Sequence, residues 1–287
     1  MLACISSLVF GALNVSADTY GDLTYSAFTD LNYNTTTITI TKCSKSATNI
    51  EIPDFISGYP VTGISDFAFS GCNNLKSVTI GNNVKTIGSY AFYVCSDLKS
   101  VIIGNNVTNI ERYAFSDCEK LTNITIPDSV TNIECNAFSG CKSLTNITIP
   151  NNIEKIEYSL FSGCSSLTNF TIPEKVTSIE NSAFYDCSKL SNIVIPKNVT
   201  NIGSNAFYNC SGLTSIVLPE NITTIGTNAF YGCSRLTKIN WNSISVDDFN
   251  YNNSCFRNCG SESTGINVIF GNNVKKYLII HFILLNI

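Results

Sequence analysis

Between residues 69 and 236 the apolar positions of the chain fall into one phrase that restarts every 23 residues. Ala-Phe-x-x-Cys recurs with its ring at Phe69, Phe92, Phe115, Phe138, Phe161, Phe184, Phe207 and Phe230. The Ala position is substituted once, by Leu160. Three residues past each Cys stands a leucine: Leu75, Leu98, Leu121, Leu144, Leu167, Leu190, Leu213 and Leu236. In the unit that begins at Cys118, the apolar residues Leu121, Ile124 and Ile126 alternate at their end and read as a short strand. Pro127 stops it, as Pro150, Pro173, Pro196 and Pro219 do later, because proline cannot continue a ladder. Gly81 and Gly104, each followed by Asn-Asn, serve the first two units. Val130 and Ile133 then mark a second short extended piece, and Ala137-Phe138 opens a return read as a 3₁₀ or single helical turn.

A strict period of this length predicts a solenoid, in which each coil buries its apolar side against its neighbours. Stacked at the strand spacing of about 4.8 Å, equivalent positions form inward columns of Leu, Ile, Val, Phe and Cys. About seven such side chains per coil, each worth roughly 1.5–3 kcal/mol, cannot alone offset the ordering entropy of a coil. Stability therefore comes from stacking.

Leu121-Thr-Asn-Ile-Thr-Ile-Pro127, Val130-Thr-Asn-Ile133 and Ala137-Phe-Ser-Gly-Cys141 together resemble the leucine-rich repeats of BspA-like surface proteins. Asn49-Ile-Glu-Ile-Pro53 with Gly58-Tyr-Pro-Val61 is similar to that family's entry coil. The resemblance spans about residues 49–241. It implies an α/β-type leucine-rich-repeat solenoid, right-handed, with mostly short parallel β-strands and 23-residue coils. It also implies exposure at a cell surface and a role in adhesion or recognition of an extracellular protein or glycan.

Outside the array the organisation is less regular. Residues 1–17 read as a truncated signal peptide: Leu2–Leu13 is mostly apolar, and Val15-Ser16-Ala17 precedes Asp18 in the manner of a cleavage site. No Lys or Arg precedes Lys42, which suggests a late start or a truncated gene; a buried first strand is the alternative. Residues 18–48, with Ile38 and Ile40 alternating, read as an N-terminal β cap over the first coil. Residues 242–276 form an irregular last coil, since Phe256-x-x-Cys259 arrives 26 residues after Phe230. Residues 277–287 leave the pattern, and a frameshift or fragment end is expected there. This strongly apolar stretch of eleven residues is too short for a bilayer that needs about 20, so no transmembrane span is expected.

Charge narrows the partner. Charged residues are 13% of the chain and the formal net charge is -4, which gives no electrostatic reason to expect nucleic acid. Of thirteen cysteines, Cys72, Cys95, Cys118, Cys141, Cys164, Cys187, Cys210 and Cys233 fall on the inward column. They lack paired zinc spacing and are read as small hydrophobes whose parallel directions suit disulfides poorly. The only histidine, His281, lies in the off-pattern tail, so no nucleophile–base pair, metal site or cofactor is expected and the chain is read as non-enzymatic. Glu111, Glu134, Glu157 and Glu180 share one repeat position and are read as a solvated edge, with a bridging divalent cation as the sharper alternative.

The row expected to meet a partner points outwards from the strands. One position carries Ser77, Ser100, Asn123, Asn146, Asn169, Asn192, Ser215 and Lys238; the other carries Thr79, Ile102, Thr125, Thr148, Thr171, Val194, Val217 and Asn240. The candidate binding residues are the polar ones from Ser77 to Ser215. Asn123, Asn146 and Asn169 also begin Asn-x-Thr sequons. Small polar ladders that only keep a sheet soluble, or a spacer that displays another domain, are the competing readings.

Overall fold

The computed structural model describes residues 12–242, 255–261 and 266–271. A three-stranded antiparallel meander comes first: β1 (Ala12–Tyr20), β2 (Leu23–Asp30) and β3 (Thr35–Cys43). β1 runs through Val15-Ser16-Ala17, the stretch read above as a cleavage site; residues 1–11 lie outside the described residues. Next come β4 (Asn49–Ile52), β5 (Phe55–Ile56) and β6 (Tyr59–Ile64). β3 pairs in parallel with β6, so the meander continues directly into the array. Its inner side chains Ile38 and Ile40 are fully buried there, covering the apolar end of the first coil.

From β4 onward the chain is a leucine-rich-repeat β-solenoid of about nine turns and about 23 residues per coil. Each coil supplies a face strand and a shorter second strand, then turns back. Equivalent face strands pair in parallel and in register: Ile50 with Val78, Val78 with Val101, and Val101 with Ile124. The second strands do the same from Ile64 through Ile87 and Ile110 to Ile133, and again from Ile156 to Ile225. The eight phenylalanines are fully buried and stack one above another, with neighbouring centroids 4.6–5.9 Å apart. Phe256 adds a further rung 5.1 Å from Phe230, so the irregular last coil keeps the column despite its longer interval. Residues 267–270 close the face sheet on Lys238–Trp241. The off-pattern tail, with His281, lies outside the described residues.

One expectation is corrected. The returns are not helical, and no helix occurs among the described residues. Each return holds two residues in the left-handed region, such as Tyr113 at φ 56° and Asp117 at φ 58°, and a run of 3₁₀ geometry cannot pass through them. Several of their amides bond the next coil instead: Phe115 N donates to Ala137 O (2.8 Å) and Asp117 N to Ser139 O (2.7 Å). At the second left-handed position Gly140 (φ 73°) is under a second constraint, because a Cβ there would run into the Asp117 carboxylate.

The cysteine column does more than fill space. Each thiol from Cys95 to Cys233 donates to the Phe carbonyl of the preceding coil, as Cys118 does to Phe92 O (3.2 Å). Burial pushes the thiols of Cys118, Cys141 and Cys187 well above their ordinary titration, which keeps them protonated donors.

Candidate interaction face

On the face strands, alternate side chains are buried and exposed, and the register brings the exposed ones into rows. Ser77, Ser100 and Asn123 are paired neighbours, as are Thr79, Ile102 and Thr125. Asn169 pairs with Asn192 and Thr171 with Val194 on the next segment, and Ser215 pairs with Lys238 on the last. Thr79, Asn123, Thr125, Asn169, Thr171 and Asn192 are exposed, while Ser77, Ser100 and Ser215 are half-buried. Asn146 and Thr148 are exposed too, but no strand pairing joins residues 146–148 to either neighbour. The predicted row is therefore three paired segments with two breaks, one at residues 146–148 and one between Asn192–Val194 and Ser215–Leu218.

Its chemistry is neutral. At the N-terminal end Ser77 Oγ donates to Asn49 Oδ1 (2.7 Å), so some of the row's polar groups are already engaged. The outer Thr column is interrupted by apolar side chains: Ile102 is 61% exposed and Val194 74%. Such a surface can offer hydroxyl and amide groups to a polar polymer or an extended chain, with apolar patches between.

The carboxylate edge differs from expectation in its partners. Glu111 Oε2 accepts from Ser89 N (3.1 Å) and Ser89 Oγ (2.8 Å), and Glu134 Oε2 accepts from Arg112 N (3.1 Å). Glu180 Oε1 accepts from Ser178 Oγ (2.7 Å). Glu111 and Glu134 thus bond main-chain amides of the preceding coil, while all four carboxylates stay half-exposed, so the edge is both engaged with the fold and solvated. Among the described residues no cluster of three or more His, Cys, Asp or Glu side chains is placed to hold a metal ion.

Sequence reasoning missed a second surface. On the return turns Phe67, Tyr90 and Tyr113 stack at 4.8 and 4.7 Å, with ring planes within 7°. Tyr185, Tyr208 and Tyr231 form a like column at 4.8 and 4.9 Å. Each column occupies one repeat offset next to the buried Phe, and that aromatic recurrence was the available signal. The rings present their edges outwards, since their faces cover one another.

The fold and rows define a parallel repeat protein whose extended flank is open to solvent. The family model for the BspA type leucine rich repeat region matches residues 40–165 and 131–263, in six copies, and the chain belongs to that family. It is similar to a leucine rich cell surface protein of Faecalibacterium prausnitzii, at 30% identity over 90% of this chain and 76% of that one, with a TM-score of 0.66. A leucine-rich repeat protein of Bacteroides ovatus is 26% identical over 90% of this chain and 77% of that one, at a TM-score of 0.62. The leucine rich repeat protein of T. pallidum is 28% identical over 77% and 91%, at 0.55. No curated protein matches the chain. Among the described residues no helix is long and apolar enough to cross a membrane.

Proposed function

We propose that this chain is a non-enzymatic secreted or cell-surface binding module that takes an extracellular protein or glycan along the solenoid face. The observation that carries the reading is the in-register alignment of exposed Asn and Thr, with half-buried Ser, on the parallel strands of each segment. A repeated, weakly polar row suits a repetitive or extended partner, with many modest contacts adding through avidity. Family membership and the likeness to a bacterial cell surface protein support the same reading. No cofactor enters it.

The test is binding of the purified chain to arrayed glycans and matrix proteins. The expected result is binding to one class, lost when Asn123, Asn169 and Asn192 are changed together to Lys and kept when Tyr185 and Tyr208 are changed to Ser. Binding that survives the Lys changes but not the Tyr changes moves the site to the return turns. A spacer array is the second reading. It is favoured by the lack of Trp and Arg, the usual anchors of tight interfaces, in both outward rows. An absence of binding to every arrayed class would favour it.

A further inference from the structure

The cysteine column follows one rule along its length and breaks it at the N-terminal end. Each thiol from Cys95 to Cys233 is held by a Phe carbonyl of the coil before, at 3.1–3.3 Å. Cys72 meets no Phe there, because Cys43 stands in that place: the Cys43 amide donates to Ala68 O (2.9 Å) as Phe69 N does to Ala91 O (2.7 Å). Its sulfur instead lies 4.0 Å from Cys43 O and 4.0 Å from Ser44 O. Cys43, the last residue of β3, directs its own Sγ to the same Ser44 oxygen at 3.5 Å. Two thiols thus converge on one carbonyl. They arrive from different elements, one a cap strand and one a return turn, so the parallel directions of the column do not apply to them.

We infer that Cys43 and Cys72 are a disulfide site, formed with an oxidised dithiol or other small disulfide as co-reactant, that fastens the β cap to the first coil. The Cys72 thiolate attacks one sulfur of the oxidant, making a mixed disulfide and releasing one thiol. The Cys43 thiolate then displaces the second thiol and closes the bond. The oxidant takes up two electrons and the two thiol protons and leaves reduced. The surroundings favour the first step. Lys45 Nζ is 3.7 Å from Cys72 Sγ, and it also donates to Ser70 O, which fixes it there. The hydrogen bond from Cys43, opposed by burial and aided by Lys45, brings Cys72 down to about 7, whereas Cys95 one coil away is pushed up to about 12 by burial. A cleft of about 350 Å³ lined by Asp22, Leu23, Thr24, Lys42, Cys43 and Ser44 borders the Cys43 end of the pair, while Cys72 is buried behind it. Cys233 and Cys259 also lie within hydrogen-bonding reach of each other, but each holds a Phe carbonyl, at 3.3 and 2.9 Å. They are the internal control.

The experiment treats the folded, reduced protein with oxidised glutathione, blocks remaining thiols with N-ethylmaleimide and maps peptides by mass spectrometry. The expected result is a Cys43–Cys72 crosslink reversed by dithiothreitol. The melting temperature should rise by about 5 °C or more, as closing a loop of this length implies. Cys43→Ser should abolish both effects; if that variant does not fold, peptide mapping of the unaltered chain decides alone. Full labelling of Cys43 and Cys72 after oxidation would overturn the inference, and so would crosslinks formed at Cys72–Cys95 or Cys233–Cys259 in their place.

Discussion

Two neighbouring junctions in the array show what holds coils together. Between the coils of Phe115 and Phe138, the face strands pair over Asn123–Thr125, the second strands pair over Asn132–Ile133, and Phe115 N reaches Ala137 O at 2.8 Å. Between the coils of Phe138 and Phe161, neither strand pairing forms among these described residues. The return-turn bonds persist, but Phe138 N to Leu160 O is 3.1 Å, the longest of the Phe-to-return set. The Phe138–Phe161 centroid distance, 5.9 Å, is also the widest in the column. Leu160 is the difference. It is fully buried where Ala137 and Ala183 stand above and below it, and its three extra carbons need room that a closed junction does not have. Phe170, in the place of isoleucine in the following coil, adds bulk by packing against Phe161 at 4.9 Å and Phe184 at 5.2 Å. The stack opens on its strand sides and stays closed at its turns.

The Phe column is common to both junctions, and removing a ring is the strongest way to break the comparison. Phe115→Ala should cost about 3–5 kcal/mol, read as a lowered urea midpoint, because a fully buried ring loses two stacked neighbours and leaves a cavity. Next in size, Ala137→Leu transplants the bulk to the closed junction. It should cost about 1–3 kcal/mol and remove the exchange protection of the Thr131 and Glu134 amides, which now bond Thr108 O and Ile110 O. Smallest is Cys141→Ala, which leaves Phe115 O without its thiol donor and should cost about 1–2 kcal/mol in the same titration. Cys141→Ser, which restores a donor, should recover part of that loss. A cost for Cys141→Ala no greater than for an exposed position would show that the thiol bonds carry nothing.

Legibility in the sequence followed the period. Phe, Cys and Leu at fixed offsets fixed the stacking, because identical buried positions can recur so strictly only if they pile up in register. The outward rows were readable as well, from two-residue alternation around Ile124 and Ile147. The turns were not. Left-handed backbone at Tyr90, Val94 and Tyr113 carries no compositional mark, although Gly71, Gly140, Gly163 and Gly232 and several Asn residues mark the same positions in other coils. Leu160 was visible as an exception, but its consequence depends on how closely Ala137 and Ala183 approach it. Cys43 lies outside the repeat, so the pattern said nothing about its meeting with Cys72. The shared repeat position of Glu111 and Glu134 was visible, but their main-chain partners, Ser89 N and Arg112 N, come from a neighbouring coil at a separation no local motif displays.

Native-state hydrogen exchange on the unaltered chain and on Leu160→Ala tests the central claim most directly. The amides of Thr145, Glu154 and Glu157 make no backbone bond across the open junction, whereas their equivalents Thr122, Thr131 and Glu134 do, at 2.9–3.0 Å. In the unaltered chain the first three should exchange faster than the second three, and in Leu160→Ala the gap should narrow as the strands close. Equal protection of both sets in the unaltered chain would contradict the account.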